Sequence, residues 1–188
     1  MLNHEALLDV SHPRAKDLFN FVTSSPEIKL WYLKNHENIQ LVEDGIEIQG
    51  LTFCLNNEEA ENKRKCIVNY EGNTYFTFDA AQKHAAEQGR RVPTDAEWQN
   101  LDDFLPKGQV AKFFLDVLKV SLSGYQHTDG FTFGYRGVTA HLWSSSAFDD
   151  NTAYYRYLNY GYTKVNRNYN FKNFGFGLRC VKDLNQQA

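Results

Sequence analysis

The feature that most constrains this chain is an aromatic stretch near its C-terminus. From Tyr154 to Phe176 the chain is mostly Tyr, Phe, Asn and Gly, with four basic residues and no acidic one. That composition is too polar for a core and too aromatic for an ordinary surface. Binding surfaces use these residue types, because Tyr and Phe give large, stiff contact area while Asn and Gly give adaptable hydrogen bonding. We therefore expect the rest of the chain to be a scaffold that holds this stretch.

Size and charge set the broad class of the protein. A chain of 188 residues with a formal net charge of −3 fits one domain with a sizeable core and has no general attraction to nucleic acid or anionic membranes. No apolar run is long enough to span a membrane, and the N-terminus lacks the pattern of a secretory signal. Localisation stays open between virion association, surface display by a non-classical route and the cytoplasm.

The cysteines and histidines predict no metal site. Cys54, Cys66 and Cys180 are odd in number and lack CxxC spacing, so we expect reduced, partly buried thiols. A Cys54–Cys66 bridge across a hairpin is the alternative, and it would need an oxidising compartment. Without CxxC or HExxH spacing no zinc site is predicted, and no cofactor is expected.

Residues 1–44 are predicted to be a helical lead-in. One helix is expected to start at Ser11-His-Pro13 and a second at Ser25-Pro26. The lead-in could pack on the main domain, mediate oligomerisation or join the domain to a larger assembly, and its sequence does not choose among these roles.

Short strands are predicted after the lead-in. The alternating stretch from Ile46 breaks at Gly50, as a strand followed by a turn does. Residues 56–65 are charged and aperiodic, which predicts a solvated loop. Residues 66–78 then predict a hairpin that turns at residues 71–73.

Three helices are predicted in the middle of the chain. Asp79 is expected to cap a helix over residues 80–88, and Thr94 with Glu97 is expected to form a capping box at the start of the next. A third helix is expected over residues 109–120. Its apolar stripe consists of Val110, Phe113, Phe114, Val117 and Leu118.

From Ser121 onward, glycines separate short aromatic segments, which predicts a β-rich half with many loops. His127, Asp129 and the serines after Trp143 have no spacing that joins a nucleophile, a base and an orienting group. No catalytic residue is therefore predicted.

Five motifs, taken together and in order, resemble the formylglycine-generating-enzyme (sulfatase-modifying-factor) variety of the C-type lectin fold. They are Arg91-Val-Pro-Thr-Asp-Ala-Glu-Trp98, Phe133-Gly-Tyr-Arg-Gly137, Leu142-Trp-Ser-Ser-Ser146, Ala153-Tyr-Tyr-Arg156 and Gly175-Phe-Gly-Leu-Arg-Cys-Val181. The resemblance covers residues 46–183. It implies an α+β, C-type lectin-like domain over residues 45–188, with two or three helices packed on short antiparallel strands and a loop-rich C-terminal half.

Within that superfamily, the C-terminal stretch resembles the variable region of a diversity-generating retroelement variable protein. In that family a reverse transcriptase copies a template, randomises its adenines, and the product overwrites the 3′ end of the gene. Replacing adenines in an AAY codon for Asn gives Tyr, Phe or Gly, and these residue types with Asn dominate residues 155–174. Lys164 does not fit, because adenine substitution in AAY cannot give Lys.

The resemblance implies a variable ligand-binding region over about residues 153–176. Its ligand-binding positions are Tyr155, Tyr157, Gly161, Tyr162, Asn168, Tyr169, Asn170, Phe171, Asn173 and Phe174. The aromatic members and Gly161 are expected to be substantially exposed, with Tyr154, Arg156 and Leu158 facing the scaffold. The frame of the scaffold is predicted to be Trp98, Arg136, Trp143, Arg156, Leu158, Arg167 and Arg179.

The implied function is non-enzymatic binding of a protein or glycan on a cell or host surface. Neither the ligand nor the oligomeric state follows from the sequence. Calcium-dependent sugar binding has no support, because the variable stretch lacks acidic residues.

Three alternatives remain. A formylglycine-generating-type oxidase would rely on a pair of copper-binding cysteines, whereas the C-terminal half contains only Cys180. A single-stranded nucleic-acid binder would use the aromatic residues together with the basic residues of the stretch. The aromatic half could also simply complete a core.

Overall fold

The computed structural model describes residues 12, 14–43, 45–55 and 66–183. Within them the chain forms five α-helices and eleven short strands. The helices are α1 (Ala15–Thr23), α2 (Pro26–Asn35), α3 (Phe78–Glu87), α4 (Asp95–Phe104) and α5 (Val110–Asp116). The strands are β1 (Ile39–Val42), β2 (Gly45–Ile48), β3 (Leu51–Cys54), β4 (Ile67–Tyr70), β5 (Asn73–Phe76), β6 (Tyr125–Gln126), β7 (Phe133–Gly134), β8 (Thr139–Ala147), β9 (Thr152–Asn159), β10 (Asn166–Phe171) and β11 (Val181–Asp183). The predicted α+β class is confirmed.

The first sheet joins three strands from residues 39–54 to the last described strand, β11. Its four antiparallel strands follow the order β1-β2-β3-β11, with Val181 opposite Phe53. The turn between β2 and β3 lies at Gln49-Gly50, where both residues have positive φ angles of 51° and 81°. Gly50 adopts this backbone without a steric cost, so the predicted break in the alternating stretch is confirmed.

The second sheet carries the aromatic stretch. Its order is β10-β9-β8, all antiparallel, with a register shift in β8 between Trp143 and Ala147. Two further antiparallel ribbons, β4–β5 and β6–β7, complete the strand pairing. The β4–β5 ribbon confirms the hairpin predicted over residues 66–78.

The lead-in packs on the main domain. Leu18, Phe21 and Ile28 of α1 and α2 are buried in the same core cluster as α4 and α5, and the Phe21 ring lies 5.1 Å from the Phe113 ring. The Ser25 hydroxyl accepts a hydrogen bond from the Ile28 N–H, which caps α2 as predicted. The lead-in also contains β1, a strand that the sequence did not predict. Residues 11 and 13 of the predicted first start, and the loop predicted over 56–65, lie outside the described residues.

The helices of the middle region follow the predictions in part. Thr94 and Glu97 form the predicted capping box of α4, and the apolar stripe of the third helix is buried. The predicted cap at Asp79 is wrong, because α3 begins at Phe78, two residues before the predicted start, and Thr77 occupies the N-cap position. α5 ends at Asp116, before the predicted Val120, and Lys119 has a positive φ of 54° that no helix continues through.

Two tryptophans connect the layers under the second sheet. Trp143 is fully buried, and its indole N–H donates to Phe76 O at 2.7 Å. The Trp98 indole N–H donates to Trp143 O at 3.3 Å, which ties α4 to β8. No helix in the described part of the chain is long and apolar enough to cross a membrane.

Candidate ligand-binding surface

Both faces of β9, the middle strand of the second sheet, are covered by other parts of the protein. Tyr155 and Tyr157 point to one face, together with the β8 residues His141 and Trp143 that lie opposite them. We call this side the tyrosine face; from β10 it includes Asn166, Asn168 and Asn170. The other side, which we call the arginine face, includes Tyr154, Arg156, Leu158, Arg167, Tyr169 and Phe171.

The prediction that Tyr155 is displayed is wrong. Its side chain is only 7% exposed, with the Phe176 ring at 4.7 Å and the Trp143 ring at 6.3 Å. Burial raises the pKa of Tyr155 to about 12. Tyr157 and Phe174 are only partly exposed. Strand β9 lies in the middle of the sheet, with β8 and β10 beside it. The rings of Trp143 and Phe176 pack against the Tyr155 ring and cover it.

The remaining positions of the predicted ligand-binding set are at least partly accessible. Tyr162 is 65% exposed, Tyr169 49% and Phe171 56%, as predicted. Gly161, Asn168 and Asn173 are also exposed, while Asn170 is half-buried.

The structure does not bring all ten predicted positions into one patch. Asn168 and Asn170 lie on the tyrosine face, whereas Tyr169 and Phe171 lie on the arginine face. Gly161 and Tyr162 are in the loop between β9 and β10, and Asn173 and Phe174 are in the turn after β10. Strand β10 is thus accessible from both sides, and the predicted positions surround it.

On the arginine face, Asp95 holds two arginines from adjacent strands. Its carboxylate lies 3.0 Å from Arg156 Nη1 and accepts a hydrogen bond from Arg167 Nε at 2.8 Å. Arg156 Nη2 also donates to the Asp95 carbonyl at 2.9 Å. Burial lowers the pKa of Arg156, whereas the bond to Asp95 raises the pKa of Arg167. Asp95 begins α4, so these contacts attach β9 and β10 to that helix.

Aromatic rings cover the rest of the arginine face. The Arg167 guanidinium lies 3.9 Å from the centre of the Tyr154 ring, a cation–π contact. Phe148 and Tyr169 stack with their centroids 4.0 Å apart and their planes 7° from parallel. Sequence reasoning missed Phe148, although its place beside the acidic turn Asp149-Asp150 indicates a side chain near the surface.

On the tyrosine face, the His141 side chain is buried. Its ring centroid is 5.9 Å from Tyr157, 5.4 Å from Tyr125 and 5.1 Å from Phe176. Burial lowers its pKa to about 4, so the imidazole is neutral at neutral pH. Nδ1 lies 3.2 Å from Gly124 O; because a carbonyl only accepts, a hydrogen bond between them requires the tautomer with the proton on Nδ1.

The aromatic contacts continue outward from His141. Tyr125 lies 5.8 Å from Phe174 and 6.0 Å from the exposed Tyr135, and His127 lies 5.1 Å from Phe174. Sequence reasoning missed the exposed Tyr135 and the half-buried Tyr125 as parts of this aromatic cluster. The glycine-flanked aromatic segments from residue 124 onward were the available signal.

The predicted scaffold frame is mostly internal. Trp98, Trp143, Arg156, Leu158 and Arg179 are buried. Arg179 donates to Cys54 O at 3.4 Å and to Lys119 O at 3.1 Å. Arg136 instead forms an ion pair with Glu71 near the surface, and its guanidinium lies 4.8 Å from the centre of the Tyr70 ring.

The suggested Cys54–Cys66 bridge is not formed. No disulfide joins any of the three cysteines, all of which lie in described parts of the chain; Cys54 and Cys180 are buried and Cys66 is exposed. The Cys54 N–H donates to Cys180 O at 3.0 Å, so Cys54 at the end of β3 lies beside Cys180, the residue before β11. Among the described residues no cluster of three or more His, Cys, Asp or Glu side chains could hold a metal ion.

Comparison of the chain with protein-family models, with curated proteins and with solved structures gave no match.

Proposed function

We propose that this chain is a non-enzymatic ligand-binding protein of the receptor or adhesin type, whose C-terminal surface is diversified by adenine-directed retroelement mutagenesis. The scaffold in this proposal is a C-type lectin-like fold of the formylglycine-generating-enzyme variety. One observation carries the proposal: exposed Tyr, Phe and Asn side chains surround β10, while most of the predicted frame is buried.

The exposed rings supply the binding energy in this proposal. Tyr160 and Tyr162 in the β9–β10 loop are 71% and 65% exposed, and Tyr169 and Phe171 are about half-exposed. Large aromatic groups at a surface mark interaction sites, and they act as anchors once a partner removes them from water. The neighbouring amides of Asn168 and Asn173 add hydrogen bonds. A protein or a glycan on a cell or host surface fits this chemistry.

The distribution of burial also suits diversification. Changes at exposed positions such as Asn168, Tyr169 and Phe171 leave the core intact and alter stability by only about 0.5 kcal/mol. Changes at Trp143 or Arg156 would remove buried contacts and cost several times more. A surface around β10 can therefore vary while the fold stays the same.

No specific observation favours the enzymatic or the nucleic-acid-binding alternative. An oxidase would need Cys180 to reach a substrate thiol, yet Cys180 has no exposed surface. A nucleic-acid platform would need cations directed at phosphates, yet Arg156 and Arg167 both contact Asp95.

Sequencing the gene and its neighbourhood in sister isolates tests the proposal. We expect a reverse transcriptase gene, a near-copy of the 3′ segment, and differences confined to positions where that copy has adenine. Codons for Tyr162, Asn168 and Tyr169 should vary, whereas those for Trp98 and Trp143 should not. Variation spread evenly along the gene, with no template copy nearby, would overturn the proposal.

Binding experiments test the same surface independently. On glycan arrays and displayed surface proteins, Tyr162→Ser/Tyr169→Ser should lose at least about tenfold in affinity for any ligand that the wild type binds, because two anchors are removed. Leu30→Ser, which changes an exposed apolar residue on α2, is the matched control and should bind as the wild type does.

A further inference from the structure

Strand β10 forms one edge of the second sheet. In the order β10-β9-β8 it pairs only with β9, so within the described part of the chain no strand lies along its outer side. Edge strands present N–H and C=O groups to which another strand can add.

One hydrogen bond shows which N–H groups of β10 point outward. The Lys172 N–H donates to Asn151 O at 2.9 Å, which continues the β9–β10 register by one pair. Successive N–H groups along a strand point to opposite sides, so those of Asn168 and Asn170 also point toward β9. The N–H groups of Arg167, Tyr169 and Phe171 therefore point to the open edge.

Two of these outward N–H groups already have acceptors within the strand. The Tyr169 N–H donates to Asn168 Oδ1 at 2.9 Å, and the Phe171 N–H donates to Asn170 Oδ1 at 2.8 Å. Asparagine side chains can replace backbone partners in this way. Each amide oxygen takes the hydrogen bond that a carbonyl of an added strand would accept.

We propose that the β10 edge is a pairing surface for a second copy of this chain, and that Asn168 and Asn170 hold it closed. The outward-pointing residues are arranged symmetrically about Tyr169. Antiparallel pairing of two β10 strands about this residue places Arg167 opposite Phe171, so a cation meets an aromatic ring. Arg167 carries the only charge of β10 and contacts Asp95, so like-charge repulsion does not prevent the pairing. An incoming strand must displace the two asparagine oxygens from the N–H groups of Tyr169 and Phe171.

Removing the acceptors tests the proposal. We expect Asn168→Ala/Asn170→Ala to lower the dissociation constant for self-association by about tenfold or more, because two N–H groups become available to a partner strand. Sedimentation equilibrium over a concentration series measures this constant. Asn168→Asp/Asn170→Asp keeps acceptor oxygens and should associate no more than the wild type. Asn100→Ala removes an exposed asparagine on α4, away from the strand, and should leave association unchanged.

A second substitution shows whether any new dimer uses this edge. Tyr169→Pro in the double-alanine background removes the central outward N–H without removing a bond to β9, so it should abolish the dimer. Circular dichroism and thermal unfolding verify that each variant is folded. As a second readout, the Tyr169 amide of Asn168→Ala at low concentration should exchange with solvent faster than in the wild type.

The proposal is overturned by any of three results. They are a folded double-alanine variant that is as monomeric as the wild type, a dimer that survives Tyr169→Pro, and unchanged amide exchange in Asn168→Ala.

Discussion

Arg156 and Arg167 contact the same carboxylate at very different depths. The Arg156 side chain is 2% exposed and the Arg167 side chain 47%, although both lie within 3.0 Å of Asp95 oxygens. An ion pair in water contributes little, because solvent screens it and the long side chains lose freedom. A buried pair behaves differently, since removal of one partner leaves the other in a poorly solvated place.

The two arginines should therefore differ in their effect on stability. We expect Arg156→Ala to lower the free energy of unfolding by about 3 kcal/mol, and Arg167→Ala by about 1 kcal/mol or less. Urea denaturation of the two variants measures both values. Equal losses would show that depth does not decide the strength of these contacts.

The cysteines should differ in their reactivity. Cys66 is exposed, whereas Cys54 and Cys180 are buried, so a maleimide should label one thiol of the folded protein and three in denaturant. Mass spectrometry counts the labels. Cys66→Ser should bring rapid native labelling to zero, and fast labelling of a second thiol in that variant would contradict the buried assignment.

For individual residues, the sequence predicted the buried frame better than the exposure of the aromatic rings. It placed Trp98, Trp143, Arg156 and Arg179 in the frame, and these residues are buried. Tyr155 was predicted to be exposed from the alternation of side chains along a strand, and this alternation tells only which side chains share a face. Alternation does not tell what packs against that face, and the ring of Phe176 comes from a distant part of the chain.

Among the secondary-structure elements, α1 and α2 contribute to the main core. Phe21 has no exposed surface and contacts the Trp31 ring at 6.5 Å as well as Phe113. These helices were predicted from their apolar periodicity and starting residues. Strand β1 was not, because its four residues become a strand through pairing with β2, where Ile39 lies opposite Ile48. Such pairing is invisible to local patterns.

Substitutions in the lead-in should reveal this packing. We expect Phe21→Ala to lower the free energy of unfolding by about 3–4 kcal/mol, because a buried ring leaves a cavity. Leu30→Ala, on the exposed side of α2, should change it by about 0.5 kcal/mol or less. Thermal or urea unfolding measures both. A small effect of Phe21→Ala would mean that the lead-in is not part of the cooperative unit.

For the whole molecule, acid acts on two groups in opposite directions. The pKa of His141 is lowered from 6.5 to about 4 by burial, so the unfolded chain takes up this proton first as the pH falls from 6.5 to 4. This uptake removes stability. Burial raises the pKa of Asp102 from 3.8 to about 6, against the opposing effect of Arg156. The folded chain therefore takes up that proton first below pH 6, which adds stability.

Variants should separate the two contributions. Relative to His141→Gln, the wild type should lose up to about 3 kcal/mol of unfolding free energy between pH 6.5 and 4. Relative to Asp102→Asn, the wild type should become more stable as the pH falls through 6 toward 4. Urea denaturation at a series of pH values measures each difference. If His141→Gln shows the same pH dependence as the wild type, the buried imidazole is not responsible.

The position of β11 has a consequence for synthesis on the ribosome. Because Val181–Asp183 pair with Leu51–Phe53, the first sheet stays incomplete until almost the entire described chain has emerged. A premature stop or a shift of reading frame anywhere before Val181 deletes this strand and leaves β3 with an open edge. We expect such products to aggregate, because an unpaired strand edge can pair with another chain. Completion of the first sheet therefore requires that translation continue in frame through Asp183.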